Sequence, residues 1–360
     1  MDTENKNGMI DTAGKVRDGE QLDIVKVTEW LKGYLNDLDD QPEVTQFSGG
    51  ASNWTYRLKY KNHDLILRRP PAGTKAKSAH DMGREYKVQN ALQDAYPVVP
   101  KMIGLCTDES VLGDEFYVME RVEGIIPRAR LPKDLKLSEK QINTLCKDVI
   151  EKLVQLHKVD YLQTDLKDLS KGLGYPKRQF EGWAKRYTNA KTWNVPSFKY
   201  VTDWLRANTP EDIAACVIHN DWRFDNVILD PKDPTQIIGV LDWEMATIGD
   251  PLVDLGSALA YWVQADDDFL FKISRRQPTH LPGMMTRKEV VEYYLGRMEF
   301  NIDTFDWYEV FGLFRLAGIA QQIYFRYHHK QTDNPAFKNF WLMVQYLNFR
   351  CKKIIKASKI

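Results

Sequence analysis

The sequence predicts an α+β protein of two lobes, a small lobe built on an antiparallel sheet followed by a larger, mainly helical lobe. Three observations carry this. Alternating apolar residues in a hairpin pattern are confined to the first third of the chain, and helical spacing dominates after about residue 120. A short pair of apolar strands near 217–243 then interrupts the helical part. At 360 residues the chain is long enough for about two domains at ~150 residues each. A hydrophobic content of 43% supplies a sizeable core.

The elements follow in order. Residues 1–20 are polar, with Gly8, Gly14 and Gly19, and read as a mobile tail. Leu22, Val25, Val27, Trp30, Leu31, Tyr34 and Leu35 recur at helical spacing, and Pro42 follows them. Trp54, Tyr56, Leu58 and Tyr60 alternate as in a strand. Asn62-His63-Asp64 makes a turn, and Leu65-Ile66-Leu67 is the returning strand. Pro70-Pro71-Ala72-Gly73 ends this hairpin. Met82, Tyr86, Gln89 and Leu92 share a helix with Glu85, and Phe116-Tyr117-Val118-Met119 is a short buried strand. Gly124 and Pro127 mark the crossing, which divides the chain into lobes 21–122 and 123–360. Beyond it, Leu145, Val149, Leu153 and Leu156 share one helical face, as do Phe311, Phe314, Ile319 and Ile323 more loosely.

Charge excludes some partners. Fifty lysines and arginines balance fifty aspartates and glutamates, so no global field draws the protein to nucleic acid or an anionic membrane. Cys106, Cys146, Cys216 and Cys351 are too scattered for a metal knuckle or a redox pair and read as buried thiols in a reducing compartment. The first twenty residues hold five acids and three bases and no apolar run, unlike a secretory signal. No stretch approaches the ~20 apolar residues of a spanning helix. The expectation is a cytoplasmic protein.

The chemistry is concentrated in Val217-Ile218-His219-Asn220-Asp221-Trp222-Arg223-Phe224-Asp225-Asn226-Val227-Ile228-Leu229, followed by Ile237-Ile238-Gly239-Val240-Leu241-Asp242-Trp243-Glu244. Apolar strands flank a polar loop, and the second strand runs into two carboxylates. Phosphoryl transfer needs a carboxylate to orient the attacking hydroxyl, oxygen ligands for magnesium, and a rigid frame for both. Asp221 followed five residues later by Asn226 lets the first face the acceptor and the second turn back toward metal. Asp242 at a strand end would be the main magnesium ligand. Strand alternation, if it persists, sets Glu244 on the same face. Arg223 either contacts phosphate or substrate or pairs with a surface acid, and Asp225 reads as a turn residue.

His219-x-Asp221-x4-Asn226, Leu241-Asp242-Trp243-Glu244 and Gly249-Asp250-Pro251-x2-Asp254-Leu255-Gly256 together resemble the aminoglycoside phosphotransferase family, over about residues 25 to 345. That resemblance implies the protein-kinase-like fold, a nucleotide-binding first lobe, ATP and Mg2+. It makes Asp221 the catalytic base and Asn226 and Asp242 the magnesium ligands. The loop Ser48-Gly49-Gly50-Ala51-Ser52-Asn53 would cover the phosphates with backbone amides. Arg68 stands where kinases usually carry lysine, with Glu85 as its ion-pair partner. Met119 to Val122, including Glu120, would be the hinge whose backbone groups bond adenine. His219 would fix the loop, and Asp254 would either anchor that loop or act as a plain helix-start carboxylate. The family often has glycine at position 220, where this chain has asparagine.

Pro251 follows Asp242 by only nine positions, too few for the activation segment that seats a peptide, so the acceptor is expected to be a small-molecule hydroxyl. Asp266-Asp267-Asp268 reads as a solvated loop, and Arg350 with the lysines after it as a solvated helix end. A closer resemblance lies in Leu67-Arg68-Arg69-Pro70-Pro71-Ala72-Gly73, Ser78-Ala79-His80 and Arg84-Glu85-Tyr86. These are similar to the kinase-like region fused to some acyl-CoA dehydrogenases and to bacterial hydroxyacyl-CoA kinases. The implied acceptor is a 4-hydroxyacyl-CoA, with an acyl-CoA dehydrogenase as a separate partner. The alternatives are an aminoglycoside or choline-like kinase, and a catalytically silent nucleotide-binding module.

Overall fold

A computed structural model of the chain describes residues 10–38, 40–47, 53–71 and 81–360. The first lobe opens with helix α1 (Ile24–Leu31), capped by the Asp23 side chain on the Lys26 amide. Strands β1 (Glu43–Gln46), β2 (Trp54–Lys59) and β3 (Asp64–Arg69) follow, then α2 (Met82–Leu92), β4 (Met102–Cys106), the single turn α3 (Glu109–Leu112) and β5 (Phe116–Glu120). They form an antiparallel sheet in the order β1-β2-β3-β5-β4. The register pairs Tyr56 with Leu67 and Leu67 with Val118, which puts their side chains on one buried face under α1. The periodicity near α1 overreached, because Val25 and Tyr34 are exposed. Residues 11–20, expected within a mobile tail, are tied down. Gly14 exchanges backbone hydrogen bonds with Gln46, and Glu20 O accepts from the Tyr56 hydroxyl.

The second lobe contains α4 (Glu139–His157), α5 (Tyr175–Asn189), α6 (Lys199–Ala207), β6 (Cys216–Ile218), β7 (Val227–Leu229), β8 (Ile237–Val240) and β9 (Thr247–Gly249). It continues with α7 (Pro251–Leu259), α8 (Phe269–Ile273), α9 (Arg287–Met298), α10 (Asp306–His328) and α11 (Phe340–Ala357). The short strands pair as β6–β9 and β7–β8. α4 carries a full capping box between Ser138 and Gln141, and its predicted face of Leu145, Val149, Leu153 and Leu156 is buried. α10 packs against α5, α7 and α11, and this explains why its apolar pattern is diffuse. Phe311 and Phe314 are buried, whereas Ile319 and Ile323 are half-buried. Gly256 and Gly312 face each other where α7 crosses α10. A Cβ on Gly256 would lie 2.5 Å from Tyr308 O, and one on Gly312 would strike Gly256 O, so only glycine fits either position.

All four cysteines are buried free thiols, as expected. Among the described residues, no helix is long and apolar enough to cross a membrane.

Candidate active site

A cleft of about 420 Å³ lies between the lobes. Phe47, Thr55, Arg68, Met119, Glu120 and Val122 line it from the first lobe. Asp221, Arg223, Asp225, Asn226, Asp242 and Glu244 line it from the second. Ser48 to Ser52 and Ser78-Ala79-His80 lie outside the described residues. Asn53 is buried just ahead of β2.

The second-lobe wall is set by β6, β7 and β8. Phe224–Asn226 forms a single 3-10 turn between β6 and β7. Asn226 Nδ2 donates to Asp221 O at 2.8 Å and to Asp221 Oδ2 at 3.2 Å, and Asn226 O accepts from the Leu241 amide at 2.8 Å. One residue therefore ties the loop of Asp221 to the strand end of Asp242. Asp242 has φ +65°, a left-handed conformation unusual for a non-glycine residue and costing on the order of 1 kcal/mol. The strand stops at Val240, and Trp243–Met245 is a 3-10 turn. Glu244 thus reaches the cleft through that turn, not through the strand alternation expected for it. Burial, reinforced by Asp242 and Glu85, pushes its carboxyl up to about 7.

Asp254 anchors this loop. It is wholly buried in the first turn of α7, and its two oxygens accept from the amides of His219 and Asn220 at 2.8 Å each. His157 Nε2 lies 3.2 Å from the same carboxylate, and its Nδ1 meets the Tyr294 hydroxyl at 2.5 Å. Burial would raise the Asp254 carboxyl, but the His157 contact and the His219 amide hold it below the usual range. Asn220 has φ +64°, which explains why glycine suits this position in the family and why asparagine is tolerated. Arg315 Nη2 closes the turn on Asn220 O at 2.8 Å. His219 Nε2 lies 2.9 Å from Leu241 O, a structural contact as expected.

In the first lobe, Arg68 Nη1 lies 2.8 Å from Glu85 Oε1, and Nη2 lies 3.6 Å from Asp242 Oδ1. Burial alone would lower the Arg68 guanidinium, but Glu85 and Asp242 outweigh it and hold the group charged. Arg84, one residue before Glu85, donates to Glu244 O at 2.9 Å and to Ala246 O at 2.5 Å. α2 is thereby bonded across the cleft to the turn that follows Asp242. At the crossing, the Arg121 amide donates to Asp64 O. The Glu120 amide donates to Lys101 O, and Glu120 and Val122 both line the cleft. The Glu120 side chain is exposed and pairs with Lys101.

Arg223 does not meet a surface acid. It lies 3.3 Å from Asp221 Oδ2 and 3.2 Å from Asp225 Oδ1, with its guanidinium 5.2 Å from the centre of the Tyr261 ring. Asp225, expected as a turn residue only, is a cleft residue as well. Arg315, Arg84 and His157 were not anticipated from sequence. A charged residue inside the apolar run Phe311 to Leu316 was the available signal for Arg315, because a buried guanidinium requires a partner.

A two-lobed kinase-like fold with this cleft defines the class of small-molecule kinases. Residues 43–286 match the phosphotransferase enzyme family, and the chain belongs to that family. Mouse acyl-CoA dehydrogenase family member 10 is 35% identical over 302 residues, covering 83% of this chain but only 28% of the relative. The chain therefore spans well under half the length of that curated relative. A Ralstonia eutropha crystal structure, described as a candidate aminoglycoside phosphotransferase, matches with a TM-score of 0.80 at 27% identity, covering 94% of this chain and 100% of that one. A thermostable aminoglycoside phosphotransferase solved with AMP-PNP and hygromycin B matches at TM-score 0.53 and 14% identity, covering 93% of this chain and 99% of that one, and shares the fold. The resemblance read from the sequence motifs is borne out.

Proposed function

We propose that the chain transfers the γ-phosphate of ATP to a hydroxyl on an acyl-CoA thioester. The first lobe, 21–122, binds the nucleotide, and the second, 123–360, carries catalysis and the acceptor. The convergence of Asp221, Asn226 and Asp242 on one wall, with the Arg68–Glu85 pair opposite, carries this reading. The similarity to an acyl-CoA dehydrogenase relative supports the thioester, and a dehydrogenase acting on the product is the expected partner.

Among the described residues, no group of three His, Cys, Asp or Glu residues is arranged to hold a metal alone. Magnesium is usually held by one or two carboxylates together with phosphate oxygens and water. The donor set fits that habit, since Asp242 Oδ1 and Glu244 Oε2 are buried and accept no hydrogen bond. Asn226 and Asp242 would hold the ion, with Glu244 beside them. Bound magnesium would neutralise charge building on the phosphate oxygens.

Asp221 accepts the proton of the attacking hydroxyl. Asn226 holds Asp221 in place and Arg223 screens its charge until the acceptor arrives. Arg68, fixed by Glu85, offers its planar fork to the nucleotide phosphates. The Glu120 carbonyl and Val122 amide take the adenine edge.

The test is ADP release with Mg-ATP over 4-hydroxyacyl-CoAs, free hydroxy acids, choline and aminoglycosides. Turnover confined to CoA thioesters is the expected outcome. Asp221→Asn should lower kcat by ~10²–10⁴-fold, the range of general-base catalysis, with the ATP Kd nearly unchanged. Turnover on an amine alcohol instead would overturn the acceptor and keep the mechanism.

A further inference from the structure

We infer that Asp11, carried to the cleft by the segment ahead of α1, accepts hydrogen bonds from the ribose hydroxyls of the bound nucleotide. This rests on the nucleotide reading above and extends that site to a segment ahead of residue 21.

The placement follows from bonds at both ends of four residues. Gly14 exchanges backbone hydrogen bonds of 2.9 Å with Gln46 along the outer side of β1, the edge strand of the sheet. The buried Gln46 side chain adds two more, accepting from the Arg17 amide at 3.0 Å and donating to Glu20 Oε2 at 2.6 Å. Three residues before Gly14, Asp11 reaches the crossing between the lobes. Its carbonyl accepts from Arg121 Nη2 at 3.4 Å, and its Oδ1 accepts from Arg128 Nη2 at 3.1 Å. Arg121 is itself fixed, with Nη1 3.1 Å from Asp64 Oδ2 and 2.7 Å from Glu123 Oε2. Residues 11–14 therefore span from the sheet edge to the crossing, and Asp11 lines the cleft together with Glu120, Val122 and Arg128.

The chemistry follows by elimination. In the nucleotide reading, the Glu120 carbonyl and Val122 amide take the donor and acceptor of the adenine edge. Arg68 and Asp242, 3.6 Å apart, mark the phosphate end. A carboxylate would repel the phosphates, and it accepts hydrogen bonds but donates none. The O–H donors of a nucleotide are on its ribose, and a carboxylate has room for both hydroxyls of a cis-diol. Asp11 is half-buried, and among the described residues its Oδ2 accepts no hydrogen bond. One oxygen is thus braced by Arg128 at the rim while the other is left for a ligand. A hydrogen bond to an ionised acceptor is stronger than a neutral one, so the contact should be measurable.

The test is a comparison of Mg-ATP with Mg-2′,3′-dideoxy-ATP, each titrated calorimetrically into the protein. Wild-type protein should bind ATP about tenfold more tightly than the dideoxy analogue, as expected for a lost charge-assisted contact. This comparison needs no variant. Asp11→Ala should bind both nucleotides at the weaker level. Arg128→Gln removes the same ion pair but keeps the carboxylate, so it should retain the preference for ATP. Wild-type protein indifferent to the hydroxyls, or Asp11→Ala that keeps the full preference, would overturn the contact. A preference lost in Arg128→Gln but kept in Asp11→Ala would give the hydroxyls to the guanidinium and also overturn it. Folded wild-type protein that binds neither nucleotide would overturn the nucleotide reading itself, and this inference with it.

Discussion

Asp254 joins more of the active loop than any other single residue. Two amides and one imidazole converge on a carboxylate that water cannot reach. In Asp254→Asn the amide nitrogen must face an N–H group, and His157 loses its acid. Leaving a buried hydrogen-bonding group unsatisfied costs about 1–3 kcal/mol. The variant should lose roughly that much in urea denaturation at neutral pH, and its kcat should fall even where it remains folded. A loss below about 1 kcal/mol would show that the anchor is redundant. The left-handed residues Asn220 and Asp242 belong to the same account. Both hold strained backbone beside the reacting groups, and the bonds from Arg315 and Asn226 over-determine that geometry.

At the scale of elements, charged residues join the helices of the second lobe. Asp267 precedes α8, Arg287 starts α9, and Arg350 lies in α11. Arg287 Nη1 is 2.6 Å from Asp267 Oδ2 and Arg350 Nη1 is 3.2 Å from Asp267 Oδ1, with the Arg350 guanidinium 4.0 Å from the Phe271 ring centre. Asp267 and Arg350, expected to be solvated with their neighbours, are instead partners, whereas Asp266, Lys353, Lys356 and Lys359 are exposed as expected. Burial would raise the Asp267 carboxyl, but the Arg287 hydrogen bonds and charge outweigh it and hold it below the usual range. A lowered folded value means that the pair's stabilisation is full above ~4, the unfolded carboxyl value, and is lost as pH falls through the folded value. Asp267→Asn should cost roughly 3 kcal/mol at pH 7 and flatten the fall in stability on acidification. Urea midpoints measured from pH 7 to pH 3 test both, and parallel pH profiles for the two proteins would refute the assignment.

The whole molecule depends on how the two lobes are held over the cleft. Arg84 bonds α2 to the turn after Asp242, and Arg68 spans Glu85 and Asp242. The crossing itself packs on β7, where Ile125 and Leu229 exchange backbone hydrogen bonds. A Cβ on Gly124 would collide with the Ile228 side chain and lie 2.5 Å from Leu229 O. Gly124→Val should therefore push the crossing off β7 and shift the lobes. The expected result is a Tm lowered by several degrees, since ~1–3 kcal/mol is typical of overpacking, together with weaker ATP binding. Unchanged nucleotide affinity in the folded variant would show that the crossing does not set the cleft.

Local spacing in the sequence was enough for the β2–β3 hairpin, α2, the apolar face of α4 and the approach of Asn226 to Asp221. Each of these is written within a few residues, where backbone geometry alone decides which side chains share a face. Tertiary structure alone decided the rest. Asp254 had two equal readings until the amides of His219 and Asn220 were seen to converge on it. Glu244 reaches the cleft through a 3-10 turn, Asp225 faces inward, and Arg350 is held by Asp267, 83 residues away in sequence. A charged or polar residue carries no local mark of its partner. Whether it is solvated or buried depends on which distant element brings the opposite charge or the free amide, and chain packing makes that choice.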